Sequence, residues 1–270
     1  MTDRMARRTV ALVMSGVLLT ACASPPTPTP VRDGGIAVPT TLTDTTPGTG
    51  VSTPASSAAL PAMTSVAPAA RGPELVPGQA FVFEAQPLPE ATRRRMAGPA
   101  WRPGCPVALD DLRTIRLSFW GFDGKLHKGD LVVHSDAVAT MRGVFAELHA
   151  ARWPIRQIRP IEDYGGDDDA SMDADNTSAF NCRPSTGTTS TWSQHAYGRA
   201  IDINPRENPY VTPRGVEPKA GEAFVDRTTA QPGLIGASSV VVNAFDRRGW
   251  GWGGRWSGSK DYQHFSSTGR

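Results

Sequence analysis

The stretch Ser193-Gln194-His195-Ala196-Tyr197-Gly198-Arg199-Ala200-Ile201-Asp202-Ile203-Asn204-Pro205 carries the densest information in this 270-residue chain. Period-two alternation from Arg199 to Asn204 reads as a β-strand, with Ala200, Asp202 and Asn204 on one face and Ile201 and Ile203 on the other. Gly198 turns the chain into that strand. An imidazole just before the turn and a carboxylate within the strand can converge on one point, as two ligands of one metal ion must. Taken alone, a His and an Asp at this spacing more often share a structural hydrogen bond.

The C-terminal stretch adds a second group. Gly249-Trp250-Gly251-Trp252-Gly253-Gly254-Arg255-Trp256 leads into Lys260-Asp261-Tyr262-Gln263-His264-Phe265. Asp261 and His264 are expected to face the same way through a helical or tight turn. One would then supply a metal ligand and the other a carboxylate near metal-bound water. Three protein ligands with an open position describe a catalytic zinc site. Trp250, Trp252 and Trp256 are equally consistent with a wall for substrate and with core packing.

Working outward towards the N-terminus, Thr114 to Trp120 alternates polar and apolar residues, Asp123-Gly124 supplies a turn, and Leu131-Val132-Val133-His134 follows. That pattern predicts a β-hairpin. Ser135 or Asp136 then caps a helix with Val138, Met141, Phe145 and Leu148 at helical spacing, ending near Trp153-Pro154. Ile155 to Ile161 reads as a strand, Asp163 to Asn176 as an acidic loop, and Ser239 to Arg248 as a second helix. Five prolines between Gly72 and Trp101 give an irregular leader. The fold class is α+β, a small mainly antiparallel sheet with helices packed on it and the metal site in a cleft.

His127 and His149 read as surface residues, and His134 as the end of a strand. The acidic run Asp167, Asp168, Asp169, Asp173 and Asp175 lacks the spacing of an EF-hand and reads as a solvated loop beside a groove. Cys105 and Cys182 stand within the folded region, and pairing them is the simplest account, two buried free thiols being the alternative. With no CxxC pair, a zinc-thiolate site is disfavoured.

At the N-terminus Arg4, Arg7 and Arg8 precede an apolar run from Val10 to Leu19, as in a secretory signal peptide. Leu19-Thr20-Ala21-Cys22 resembles the bacterial lipobox, which implies cleavage after residue 21, lipidation of Cys22 and anchoring to the outer face of the cell membrane. Residues 22–71, rich in Pro, Thr, Ser and Ala, cannot bury enough apolar surface to fold and read as a tether. Its proline-rich parts extend about 3 Å per residue. Loss of Arg4, Arg7, Arg8 and Asp3 takes the formal charge from +2 to zero, so no nucleic-acid partner is expected. No obligate protein partner is evident either.

Two motifs make the region from Leu131 to Phe265 resemble the M15 zinc peptidases, the group of D-alanyl-D-alanine carboxypeptidases and L-alanyl-D-glutamate endopeptidases. The first is Ser-x-His-x-x-Gly-x-Ala-x-Asp, met at Ser193, His195, Gly198, Ala200 and Asp202. The second is an acid, two residues and His, met at Asp261 and His264. The resemblance implies zinc held by His195, Asp202 and His264, Asp261 as general base, and Arg183 as the group that stabilises the developing oxyanion. The domain would span residues 72–270, with its core at about 105–266. The implied substrate is a peptidoglycan stem peptide cut at a bond next to a D-amino acid. A catalytically silent cell-wall-binding lipoprotein on the same fold is the rival reading.

Overall fold

A computed structural model describes residues 74–75 and 80–270. The signal sequence, Cys22 and the tether lie outside the described residues. The frame is the hairpin that the sequence announces. β1 (Glu74–Leu75) and β2 (Phe83–Pro87) flank β3 (Leu112–Trp120) and β4 (Leu126–His134) in the antiparallel order β1-β4-β3-β2. β3 and β4 pair over their whole length, from Leu112 opposite His134 to Trp120 opposite Leu126. The intervening turn closes through Gly121, which donates to the Lys125 carbonyl at 2.8 Å, with Gly124 at φ +70°.

Alternation sends Ile115, Leu117 and Phe119 of β3 and Leu131 and Val133 of β4 to one face, where they bury against α2 (Val138–Ala150). Met141, Val144, Phe145 and Leu148 of that helix are all buried. Each such side chain contributes about 1.5–3 kcal/mol on burial. The start of α2 differs from expectation. A 3-10 turn over Ser135–Ala137 precedes it, capped by the His134 ring, whose Nδ1 accepts from the Asp136 amide at 3.3 Å, and α2 itself starts after Ala137 with no side-chain cap. Leu112 and Val132 point to the other face and pack with Leu88, Met96 and Phe180.

The leader is more regular than its prolines predict. Besides β2, it forms α1 (Glu90–Met96), with Pro89 at the N-cap position. Pro87 ends an edge strand and Pro89 precedes a helix, two places where a missing N–H costs nothing. The expected strand from Ile155 shrinks to β5 (Gln157–Ile158), paired parallel with β6 (Asn176–Thr177). Between them, where a loop was expected, runs α3 (Asp168–Asp173). The Asp167 carboxylate caps it by accepting from the Ala170 amide at 3.1 Å, and Asp168 and Asp169 sit in its first turn, where the helix dipole favours negative charge.

The C-terminal half builds two three-stranded sheets. β7 (Ala200–Asp202), β10 (Gly251–Trp252) and β12 (His264–Ser266) take the order β10-β12-β7, while β8 (Tyr210–Thr212), β9 (Gly215–Glu217) and β11 (Lys260–Asp261) take β11-β8-β9. α4 (Val240–Asp246) packs on α2, capped by Ser239. Ile201, Ile203, Phe245 and Phe265 join the main core, Phe245 and Phe265 being stacked at 4.2 Å. Trp250 and Trp252 belong to this core as well. Among the described residues no helix is long and apolar enough to cross a membrane.

Cys105 and Cys182 form a disulfide with a Cα–Cα distance of 5.9 Å across a sequence separation of 77. Around it Cys182 donates its amide to the Ala100 carbonyl, and Arg102 donates to the Cys182 carbonyl. Reduction, or Cys105→Ala with Cys182→Ala, is expected to lower unfolding free energy by about 3–4 kcal/mol, read by urea titration with and without reductant. Unchanged midpoints would mean that the cross-link does not constrain the unfolded chain.

A buried carboxyl pair supports the exit of β7. Glu207 and Asp175 are both almost fully buried, and Arg206 reaches the Glu207 carboxylate at 3.0 Å. Burial, with Asp175 beside it, pushes Glu207 up to about 7. A raised acid pKa means that the folded state binds the proton more tightly than the unfolded state, so stability is lost as pH rises from about 4.5 through 7. Glu207→Gln is therefore expected to be more stable than wild type at pH 8 by about 1–2 kcal/mol, with no gain at pH 4. Equal melting curves at pH 8 would contradict this.

Candidate metal centre

His195 lies in a 3-10 turn over Gln194–Tyr197, begun by the Ser193 hydroxyl, which accepts from the His195 amide at 3.3 Å. Gly198 ends the turn at φ +64°, and a Cβ there would come within 2.5 Å of the His134 amide nitrogen. That amide donates to the Gly198 carbonyl at 2.9 Å. The motif glycine thus docks the His195 turn onto β4. Asp202 ends β7, and its main chain exchanges two hydrogen bonds with Ser178. His264 opens β12 directly opposite Asp202 in the sheet register. Cross-strand partners lie about 4.5–5.5 Å apart at Cβ, so the two side chains meet by construction.

His195 Nε2 lies 3.1 Å from Asp202 Oδ2 and 3.2 Å from His264 Nδ1, which is itself 3.0 Å from Asp202 Oδ1. All three residues are buried. The outer ring nitrogens fix the tautomers. His195 Nδ1 faces the Ala179 carbonyl at 2.5 Å and His264 Nε2 faces the Arg270 carbonyl at 3.3 Å. A carbonyl only accepts, so both nitrogens carry hydrogen, and two lone pairs and a carboxylate are left facing one point. Three converging acceptors of these types could hold a metal ion between them. The donor set therefore fits a metal ion, and the hydrogen bonds from the outer ring nitrogens to the Ala179 and Arg270 carbonyls hold both imidazoles in the orientation that binding needs. Burial opposes ionisation of Asp202, but the charges and hydrogen bonds of His195 and His264 outweigh it and hold the carboxyl well below its usual range. Burial likewise opposes protonation of His195, and the Asp202 charge overrides it and raises the imidazole.

The group borders a cavity of about 280 Å³ that Asp261, Arg183, Asp168, Gln263 and Trp256 also line. Asp261 reaches it by a route different from the expected turn. It sits on β11, paired with Tyr210, and the chain then changes sheets through Tyr262 and Gln263 before β12. The glycine of the Trp-Gly stretch that makes room is Gly253, where a Cβ would lie 2.6 Å from the Asp261 carbonyl. Asp261 Oδ1 is buried with no hydrogen-bond partner. Burial pushes this carboxyl up to about 7, with Asp202 and Asp168 adding to the rise and His264 and Arg183 opposing it.

Arg183 follows the disulfide and points into the same cavity. Its Nη2 pairs with Asp168 Oδ2 at 2.7 Å, while its Nε is buried without a partner. The sequence reading missed Asp168 as the residue that holds Arg183, because it lay within a run of aspartates taken as solvated. Gln263 was also missed. Of the three tryptophans only Trp256 lines the cavity, its ring 5.5 Å from that of His264. The remaining histidines stand apart from the centre. His127 is buried, contrary to expectation, bonded to Asp123 at 2.9 Å and stacked on Phe119. His149 is half-buried between Phe81 and Trp120.

An α+β domain with a His-Asp-His group able to hold a metal, and a carboxylate with one buried, unpartnered oxygen on the same cavity, has a layout suited to hydrolysis. Residues 186–267 match the peptidase M15 family model described as D-alanyl-D-alanine carboxypeptidase. This segment contains His195, Asp202, Asp261 and His264, begins just after Arg183, and supports a peptidase of that type. No curated protein and no solved structure matches the chain.

Proposed function

We propose that this chain is a zinc peptidase, exported and lipid-anchored through Cys22, that hydrolyses peptidoglycan stem peptides at a bond next to a D-amino acid. The observation that carries the reading is the convergence of His195, Asp202 and His264 with the unpartnered Asp261 Oδ1 on one cavity, inside the segment similar to the carboxypeptidase family. His195 Nε2, Asp202 and His264 Nδ1 would hold the ion. A bound zinc ion would polarise the scissile carbonyl and make water a competent nucleophile near neutral pH.

The chain's own groups do the rest. Asp261 takes the proton of the attacking water on Oδ1 and delivers it to the leaving amine nitrogen. Arg183 donates from its buried Nε to the carbonyl oxygen as negative charge develops there. Asp168 fixes that guanidinium, and the disulfide at Cys182 fixes its backbone. The signal sequence and tether would carry this site to the wall polymer.

The test is incubation of the full chain with purified peptidoglycan and zinc, followed by mass analysis of what is released. Soluble peptide or free D-amino acid identifies both the activity and the bond. No release from protein carrying one zinc per chain would leave the catalytically silent wall-binding lipoprotein as the better reading.

A further inference from the structure

We infer that Gln263 is a substrate-binding residue whose side-chain carbonyl accepts a backbone N–H of the peptide, on a peptide unit that flanks the bond being cut. This rests on the peptidase reading of the same site and deepens it.

Gln263 is 2 % exposed and lies between the proposed base and a metal-binding histidine. Its backbone is fixed, since its carbonyl accepts from the Ile203 amide at 3.1 Å. Its side chain is fixed as well, because Nε2 meets the Met172 thioether at 3.5 Å. Sulfur in a thioether can only accept, so the NH2 end faces Met172 and Oε1 faces the other way. That oxygen is buried, without a partner, and the residue lines the cavity. A buried acceptor left unpaired is costly, so its place beside the cavity calls for a donor from the ligand.

Three residues that line this cavity each carry one such atom, namely Arg183 Nε, Asp261 Oδ1 and Gln263 Oε1. They are one donor and two acceptors. The scissile unit uses two of them, its carbonyl taking Arg183 Nε and its transferred proton taking Asp261 Oδ1. Gln263 Oε1 is left over; the scissile N–H belongs to the nitrogen that takes the proton and leaves, so the main-chain donors that stay unchanged through the reaction are the N–H groups of adjacent units. The site therefore reads main chain beyond the bond it cuts. A peptide fits this pattern better than a free amino acid derivative with a single amide.

The test compares a synthetic stem pentapeptide with a depsipeptide in which an ester oxygen replaces the first amide N–H on the amino side of the cleaved bond. With the full zinc-loaded chain, the depsipeptide is expected to show kcat/KM about tenfold lower and Kd about tenfold higher. In Gln263→Met, with unchanged zinc content, the two substrates should become equivalent. Equal treatment of both by wild type overturns the inference, and so does a tenfold gap that persists in Gln263→Met. Should the variant fail to fold, the wild-type comparison alone decides. Should wild type cut neither compound, the peptidase reading fails, and the ratio of the two Kd values, measured by calorimetry, still decides on Gln263.

Discussion

Asp261→Asn is expected to bind zinc at the wild-type level while hydrolysing stem peptide at least about 100-fold more slowly, the lower range for a positioned acid-base group. Asn has the shape of Asp and can accept a hydrogen bond, but it does not take a proton. The proposed role rests on where the carboxylate sits. It lies on a strand of a different sheet from His264, one of its oxygens is buried without a partner, and burial raises its proton affinity. Metal content and rate must be read on the same sample, since a ligand role would lower both together. Wild-type turnover in Asp261→Asn would remove Asp261 from the mechanism.

His264→Ala should lose most of its zinc and, with it, hydrolysis below detection, whereas the fold persists because Phe265, Ile201 and Phe245 still pack. Removing one of three donors leaves His195 and Asp202, two ligands where sites of this type use three. The same loss is expected for His195→Ala and Asp202→Ala. Metal analysis after gel filtration measures each, and full occupancy in His264→Ala would overturn the ligand set.

What the sequence disclosed and what it hid follow from the range of the interactions concerned. The β3-β4 hairpin, α2 and α4 were legible because alternation and helical spacing record which face meets the core. The faces of Ile201, Ile203 and Asp202 were legible for the same reason. Local hydrogen bonding was harder to read. His134 displaced Ser135 and Asp136 as the cap, and Asp167 turned an apparent loop into α3, because capping depends on which amide a short side chain can reach. Prolines 87 and 89 looked like interruptions and are terminators. His127 appeared exposed, since nothing near it in sequence reveals that Asp123 folds back to meet it.

The candidate site divides along the same line. The strand face of Asp202 is local information, but its meeting with His264 depends on the register between β7 and β12, and sequence offered that only through a family resemblance. Asp168 lies fifteen positions before Arg183, and no spacing rule links a helix start to a loop arginine. Gln263 carried no signal at all, because an unpaired carbonyl is a property of the packed cavity.

The register that sets Asp202 against His264 also bears on folding. β7 and β12 are three residues each, too short for their ladder to hold alone, and they are joined by a triad drawn from three places in the chain. A metal ion held in that triad would act as a staple across the sheet, so that its occupancy and the pairing of the strands would form one linked equilibrium. Scarcity of free metal would then lower the stability of these two strands without undoing the core that Ile201, Phe245 and Phe265 form beneath them.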